Sequence, residues 1–392
     1  MMNFVEKSSR YVMRTYARQP ITFVKGRECT LTDSTGKQYL DLLSGIAVNV
    51  LGYGHPKLAS VCRKMAKSVW HTSNLFEIEG QIALAEKIAK NTLDGKTFFC
   101  NSGAEANEAA LKLAVKRGKT IAPEKDEVIS MINSFHGRTL GALNLTGQEK
   151  YRKDFPSLGN IRYVPFNDIK ALEAAVNSRT AAVFLEVIQG EGGINPVTAD
   201  YYSAVRALTK KHNALMIIDE VQTGVGRTGT MFGYQHQSEM PDVITAAKGL
   251  ANGIPIGFMH AAPHAADVLT PGTHASTFGG NPFVTAVANT VFDIVSDKAF
   301  LKSVQDKGAL FAKELSALSS SFSFIKEVRG RGLMIGVELS VSADNVKTKC
   351  LEQGLIVNSI HDSVIRLIPP LIISERDIER AISIFKTVFR SL

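Results

Sequence analysis

Cysteine is scarce in this chain: Cys29, Cys62, Cys100 and Cys350 are the only four among 392 residues. Their spacing fits neither a zinc-ligand pattern nor a redox pair, so they read as reduced thiols of a cytosolic protein. Long apolar runs are missing too. None reaches the roughly 20 residues that cross a bilayer, and no membrane partner is expected. Low-complexity tracts are absent, which confines expected disorder to the termini. Acid is in mild deficit, 37 Asp and Glu against 45 Lys and Arg. No block of about five like charges and no basic–aromatic interleaving accompanies that deficit. The net charge of +8 therefore reads as a solvated basic surface, with attraction of anionic substrates as the functional alternative, and nucleic acid is not expected as a partner. The N-terminus lacks the apolar segment of a secretory signal. Arg10, Arg14 and Arg18 stand there among few acids, which leaves a mitochondrial presequence open.

What is present is ample core material, 45% hydrophobic residues, arranged in three textures. Residues 23–42 read as a small β-meander turning at Asp33-Ser34-Thr35-Gly36. From about residue 56, apolar runs at 97–100, 128–132, 161–164, 182–188, 214–218 and 243–246 alternate with helical stretches at 80–92, 103–117, 168–177 and 199–212. That alternation predicts an α/β fold with a mostly parallel sheet covered on both faces. Beyond about residue 283, two helices, four short strands and a final helix from about 375 form an α+β module. Ser374 and Asp377 give that last helix a capping-box-like start. The expected division is a large domain over 56–282 and a smaller one built from 1–55 and 283–392.

Six stretches carry candidate chemistry. Asp219 ends the apolar run ALMIID, where a parallel strand opens on a ligand crevice; its plainer reading is an acid capping the next loop. Lys248 follows the run VITAA and precedes a Gly-rich turn. A lysine there must snorkel, pair or react, and desolvation frees its lone pair for carbonyl attack. Ser102 and Glu105 frame a helix start, so the N–H groups of Gly103 and Ala104 suit an anion such as phosphate. Alone, that is a well-capped helix. Phe135 and Arg138, in SFHGRT, offer an aromatic to stack on a flat ring and a guanidinium to clamp a carboxylate. Ser276 and Thr277 lie in a Gly-rich loop that binds phosphate or simply turns the chain. Arg366, in VIRLIPP, needs an acidic partner in its apolar strand, and Glu186 in FLEVIQGEGG is the candidate. Gly224–Gly229 fits GxGxxG literally, but no helical periodicity follows it, and the adjacent Asp219-Glu220 would repel a pyrophosphate. His136 lacks a metal-ligand companion, and His260 and His264 lack a third ligand, so no metal site is expected.

These pieces together resemble the class III (ornithine-type) aminotransferases of pyridoxal-phosphate fold type I, and within them the acetylornithine group. The resemblance runs end to end and is carried by SGAEANEAALKLA, IDEVQTGVGRTG, AAKGLANGIPIG and STFGGNP, in that order. It implies pyridoxal 5'-phosphate as cofactor and Lys248 as the lysine that condenses with its aldehyde and moves the proton. Asp219 would keep the pyridine nitrogen protonated. Gln222 would bond near the ring's phenolic oxygen, with Glu220 and Val221 beside it. Phe135 would cover the ring, and Ser102, Gly103 and Ala104 would hold the phosphate with Thr277 of a second subunit, in a homodimer with shared sites. Arg138 with Ser276 would grip the remote carboxylate, Arg366 the α-carboxylate of glutamate, and Glu186 would neutralise Arg366 in the other half-reaction. The implied reaction moves the δ-amino group of N-acetylornithine to 2-oxoglutarate in the cytoplasm. Succinylornithine, succinyl-diaminopimelate, free ornithine and 4-aminobutyrate are alternative donors; a binding protein without catalysis is an alternative of another class. Val187, where many relatives have Pro, and Ala17, where Gly is common, depart from the pattern.

Overall fold

A computed structural model describes residues 4–392. Its centre is a seven-stranded sheet in the spatial order Lys96–Cys100, Gly257–Ala261, Val243–Ala246, Leu215–Asp219, Thr180–Leu185, Glu127–Met131 and Ile161–Val164. Six strands run parallel; Gly257–Ala261 is antiparallel to both its neighbours. Every residue of Thr180–Leu185 and Leu215–Asp219 is buried, as expected of strands covered on both sides.

Alternation along these strands divides the interior into two cores. Met216, Ile218, Val183, Leu185 and Ile244 face one side, where Tyr201, Tyr202 and Val205 of helix Ala199–Lys211 and Val287, Val291 and Val295 of helix Pro282–Val295 complete the packing. Leu215, Ile217, Ala182, Phe184 and Val243 face the other, against Ala109, Ala110, Leu113 and Ala114 of helix Gly103–Ile121. The small alanines let that long helix lie close to the sheet.

Two elements differ from expectation. The strand Gly257–Ala261 was not foreseen within GIPIGFMHAA. The connection from Ala246 is too short for the dozen or more residues a parallel crossover needs, so the chain returns antiparallel. The run 182–188 is not one strand. It leaves the sheet after Leu185, and Ile188–Gln189 pairs instead with Asn195–Pro196. Gly224–Gly229 forms turns rather than opening a helix; Gly226 (φ 82°) and Gly229 (φ 86°) adopt left-handed backbone.

The C-terminal module has an antiparallel sheet of Ile325–Arg331, Met334–Leu339, Val364–Leu367 and Asn358–Ile360. The meander Phe23–Arg27, Thr30–Asp33 and Gln38–Asp41 gains a fourth strand from Leu355–Ile356, so the two ends of the chain share a sheet. The final helix, Glu375–Arg390, starts with the capping box of Ser374 and Asp377. Arg227, fully buried, bridges the two parts by donating to the carbonyls of Leu333 at 2.9 Å and Pro369 at 2.6 Å.

Candidate active site

The C-terminal ends of the parallel strands converge on one cavity of about 470 Å³, where ligands bind in open α/β sheets. Strand Lys96–Cys100 delivers Asn101–Ala104, Glu127–Met131 leads to Phe135–Arg138, Thr180–Leu185 to Glu186, Leu215–Asp219 to Asp219–Gln222, and Val243–Ala246 to Lys248.

Ser102 caps the 19-residue helix Gly103–Ile121, its side chain accepting from the N–H of Glu105. Glu105 reaches back one residue further than a capping box requires, accepting from the Asn101 N–H at 2.8 Å. The first-turn N–H groups of Gly103 and Ala104 cannot be satisfied within the helix, and they border the cavity. A Cβ on Gly103 would come within 2.6 Å of Val221 Cγ1, so only glycine lets the backbone approach there.

Asp219 is 3% exposed. Its Oδ2 accepts from Asn107 Nδ2 at 2.8 Å and from His136 Nδ1 at 2.7 Å, and its Oδ1 from the Val221 N–H at 2.9 Å. Asn107 is locked in turn by the carbonyl of His136 and by Thr245 Oγ1. Sequence reasoning missed both supports. It weighed His136 only as a metal ligand, and Asn107 was hidden in an alanine-rich helix. The available signal was an amide four residues after Gly103, on the helix face that buries Ala106 and Ala110.

Lys248 stands at a strained point, with φ of 41°, a left-handed conformation that costs roughly 1–2 kcal/mol in a non-glycine residue. Burial lowers its pKa; Glu191 opposes that shift and Arg366 adds to it. The amine thus sheds its proton more readily than an exposed lysine and makes no hydrogen bond or ion pair with the described residues.

One expectation needs correction. Arg366, 1% exposed, pairs not with Glu186 but with Glu191, at 2.5 Å, while it also donates to Asn358 Oδ1 at 2.7 Å, Gln222 Oε1 at 3.2 Å and the Gly190 carbonyl at 3.3 Å. Glu186 is engaged elsewhere, accepting from the N–H groups of Phe135 and Gly190, each at 3.1 Å. Where the chain leaves the sheet it turns back, and this brings Glu191, not Glu186, to the guanidinium. Burial pushes the Glu191 carboxyl up, but Arg366, with Lys248 and His361 adding to it, reverses this and the net shift is downward. Burial raises Glu186 to about 7, with His136 opposing and Asp219 reinforcing.

Glu220 does not line the cavity. It is fully buried and accepts from Thr223 Oγ1 and from the N–H groups of Gly233 and Tyr234. Burial raises its pKa from 4.5 to about 7. The folded chain therefore holds this proton to higher pH than the unfolded chain. The stability it provides is complete below about pH 4.5 and is lost as pH rises through about 7, on the order of 3 kcal/mol. Urea unfolding across that window should show Glu220→Gln gaining on the wild type as pH rises; a constant difference would contradict this assignment.

Ser276 and Thr277 lie outside the cavity of their own chain. Ser276 bonds Asn101 Nδ2 at 3.2 Å, at the rim, and Thr277 is exposed. Tyr16 borders a separate groove near the N-terminus. No group of His, Cys, Asp and Glu among the described residues could hold a metal.

The cavity suits a flat, phosphorylated pyridine aldehyde. Unpaired helix N–H groups lie where a phosphate would sit, an aromatic ring flanks the space, and a fixed acid and an unpaired, desolvated amine border the same space. The chain belongs to the class III aminotransferases, pyridoxal-phosphate-dependent transaminases, whose family pattern matches residues 11–389. It is 47% identical to the acetylornithine aminotransferase of Caldanaerobacter subterraneus subsp. tengcongensis over 98% of both chains. It is 42% identical to that of Methanocaldococcus jannaschii over 100% of this chain and 98% of the other. Among solved structures it resembles the ornithine aminotransferase of Toxoplasma gondii, with a TM-score of 0.94 and 32% identity over 99% of this chain and 94% of that one. The N-acetylornithine aminotransferase of Stenotrophomonas maltophilia gives a TM-score of 0.86 and 32% identity over 99% and 98%.

Proposed function

We propose that this protein transfers the δ-amino group of N-acetylornithine to 2-oxoglutarate, giving N-acetylglutamate semialdehyde and glutamate, as a step of arginine biosynthesis in the cytoplasm. The observation that carries the reading is that Lys248 and Asp219 line one cavity together with Arg138, which has no acidic partner among the described residues, while Arg366, neutralised by Glu191, touches the cavity wall through Gln222.

Pyridoxal phosphate bound here supplies an electron sink that stabilises negative charge on the carbon losing its proton. Gly103 and Ala104 would hold its phosphate, Phe135 one ring face, Gln222 its phenolic oxygen, and Asp219 the proton on its pyridine nitrogen. Lys248, desolvated and unpaired, would carry the proton from substrate Cδ to the carbon of the cofactor that bears the aldehyde. Arg138 holds the carboxylate remote from the reacting carbon. Arg366 has two tasks. Paired with Glu191 it presents no net charge to the acylated donor. Released, it offers a bidentate fork to the α-carboxylate of 2-oxoglutarate or glutamate. Glu191, which keeps that buried cation from standing alone, thus takes the part expected of Glu186.

The reading includes a homodimer with Thr277 completing the partner's phosphate site. Its support is the exposure of Thr277 beside an apolar surface: Leu75 is 87% exposed, Phe76 69% and Phe278 60%, and Asn74 ties this segment to the Ser276 carbonyl at 3.0 Å. Large apolar side chains grouped and exposed in this way suit a subunit contact.

Free ornithine is the competing donor, favoured by the name of the Toxoplasma neighbour. Steady-state kinetics with both donors decides between them. We expect kcat/KM for N-acetylornithine to exceed that for ornithine by about tenfold or more, and a preference for ornithine would overturn the assignment.

A further inference from the structure

Arg138 makes no hydrogen bond or ion pair with any described residue, yet its position is defined. Its guanidinium carbon lies 3.9 Å from the centre of the Tyr151 ring and 5.5 Å from that of Phe135. The two rings meet edge to face, 6.2 Å apart and inclined at 85°. Tyr151 belongs to the short helix Glu149–Arg152, and two contacts fix this segment to the loop bearing Phe135 and Arg138. The Gly147 N–H donates to Ser134 Oγ at 2.9 Å, and Gln148 Nε2 to the Ser134 carbonyl at 3.3 Å. On the far side, the Arg152 guanidinium stacks on Tyr163 at 3.9 Å. The Tyr151 hydroxyl bonds no described residue, so what this side chain supplies is its ring face. Lys150 also lies over that ring, at 4.9 Å.

We propose that Tyr151 is a positioning residue for substrate recognition: its ring holds the Arg138 guanidinium face-on, leaving the N–H edge free to take the carboxylate remote from the reacting carbon. An exposed arginine otherwise loses much of its rotamer freedom when it closes on a carboxylate. Stacking on an aromatic face attracts the cation and restricts it beforehand without occupying its donors. Tyr151 also packs against Phe135, which ties the carboxylate clamp to the ring wall of the cofactor site. Donor and acceptor each present a remote carboxylate to Arg138, so both depend on Tyr151. The inference rests on the reading of Arg138 as the clamp.

The test uses the cofactor-loaded enzyme and the Tyr151→Leu, Tyr151→Phe, Arg138→Leu and combined Tyr151→Leu/Arg138→Leu variants. Tyr151→Leu should raise KM for N-acetylornithine and for 2-oxoglutarate about three- to tenfold, with kcat and the visible absorption of the bound cofactor unchanged. Calorimetric binding of glutarate, which has both carboxylates and no reacting group, should weaken by the same factor. Tyr151→Phe keeps the ring and should match the wild type, and Tyr151→Leu should add nothing once Arg138 is leucine. Loss of kcat or an altered cofactor spectrum in Tyr151→Leu would make the role structural and overturn the proposal. So would unchanged KM and glutarate affinity in Tyr151→Leu when Arg138→Leu weakens both. Unchanged glutarate binding in Arg138→Leu would instead remove the clamp itself.

Discussion

Lys248→Ala is expected to abolish amino-group transfer, lowering kcat by about 10⁴-fold or more, because the proposed nucleophile and proton carrier are lost together. No other lysine can substitute. Lys125, also buried, has its ammonium on the carbonyls of Ser178, Thr180 and His212 at 3.1, 2.6 and 2.7 Å, away from the cavity. The fold should survive, since the Lys248 side chain supports nothing by hydrogen bonding and alanine meets the same left-handed backbone at no greater cost. Cofactor should still bind, more weakly, through the helix N–H groups. Turnover assays with circular dichroism check the pair of expectations. Residual turnover near the wild-type rate would refute the role of Lys248.

Asp219→Ala is the second large effect, a fall in kcat of about 10²- to 10³-fold or more as the charge proposed to face the pyridine nitrogen disappears. Here the geometry adds a cost that the residue's position in the sequence does not suggest. Asn107 Nδ2, His136 Nδ1 and the Val221 N–H all lose their acceptor, at roughly 1–3 kcal/mol for each buried donor left unpaired. Asp219→Asn retains an oxygen for two of the three and separates the effects. It should approach the activity loss of the alanine variant with a smaller drop in Tm. Wild-type kcat in Asp219→Asn would show that the charge does no work.

The parts of this fold legible in the sequence were those with local causes. The buried run ending in Asp219, the run ending in Lys248 and the Ser102 cap each announce themselves within a few residues, because strand burial and capping are short-range. What escaped depends on distant chain. Gly257–Ala261 is a strand because a slot is open between Lys96–Cys100 and Val243–Ala246. Arg366 was readable as a cation in need of an acid. Which acid it takes depends on how the chain turns after Leu185, and a hydrogen-bonding pattern cannot be read from FLEVIQGEGG. Asn107 and His136 become supports of Asp219 only when a helix and a loop from different crossovers meet it. Tyr151 likewise reaches Arg138 through a helix that no apolar periodicity marked.

The account stands on Lys248 as the residue that carries the cofactor. Borohydride reduction of the protein reconstituted with pyridoxal phosphate makes the carbon–nitrogen link permanent, and peptide mass spectrometry then locates it. We expect one stoichiometric adduct on the peptide containing Lys248, absent from Lys248→Ala. A stoichiometric adduct on any other lysine, or none in the wild type, would contradict the assignment of this cavity.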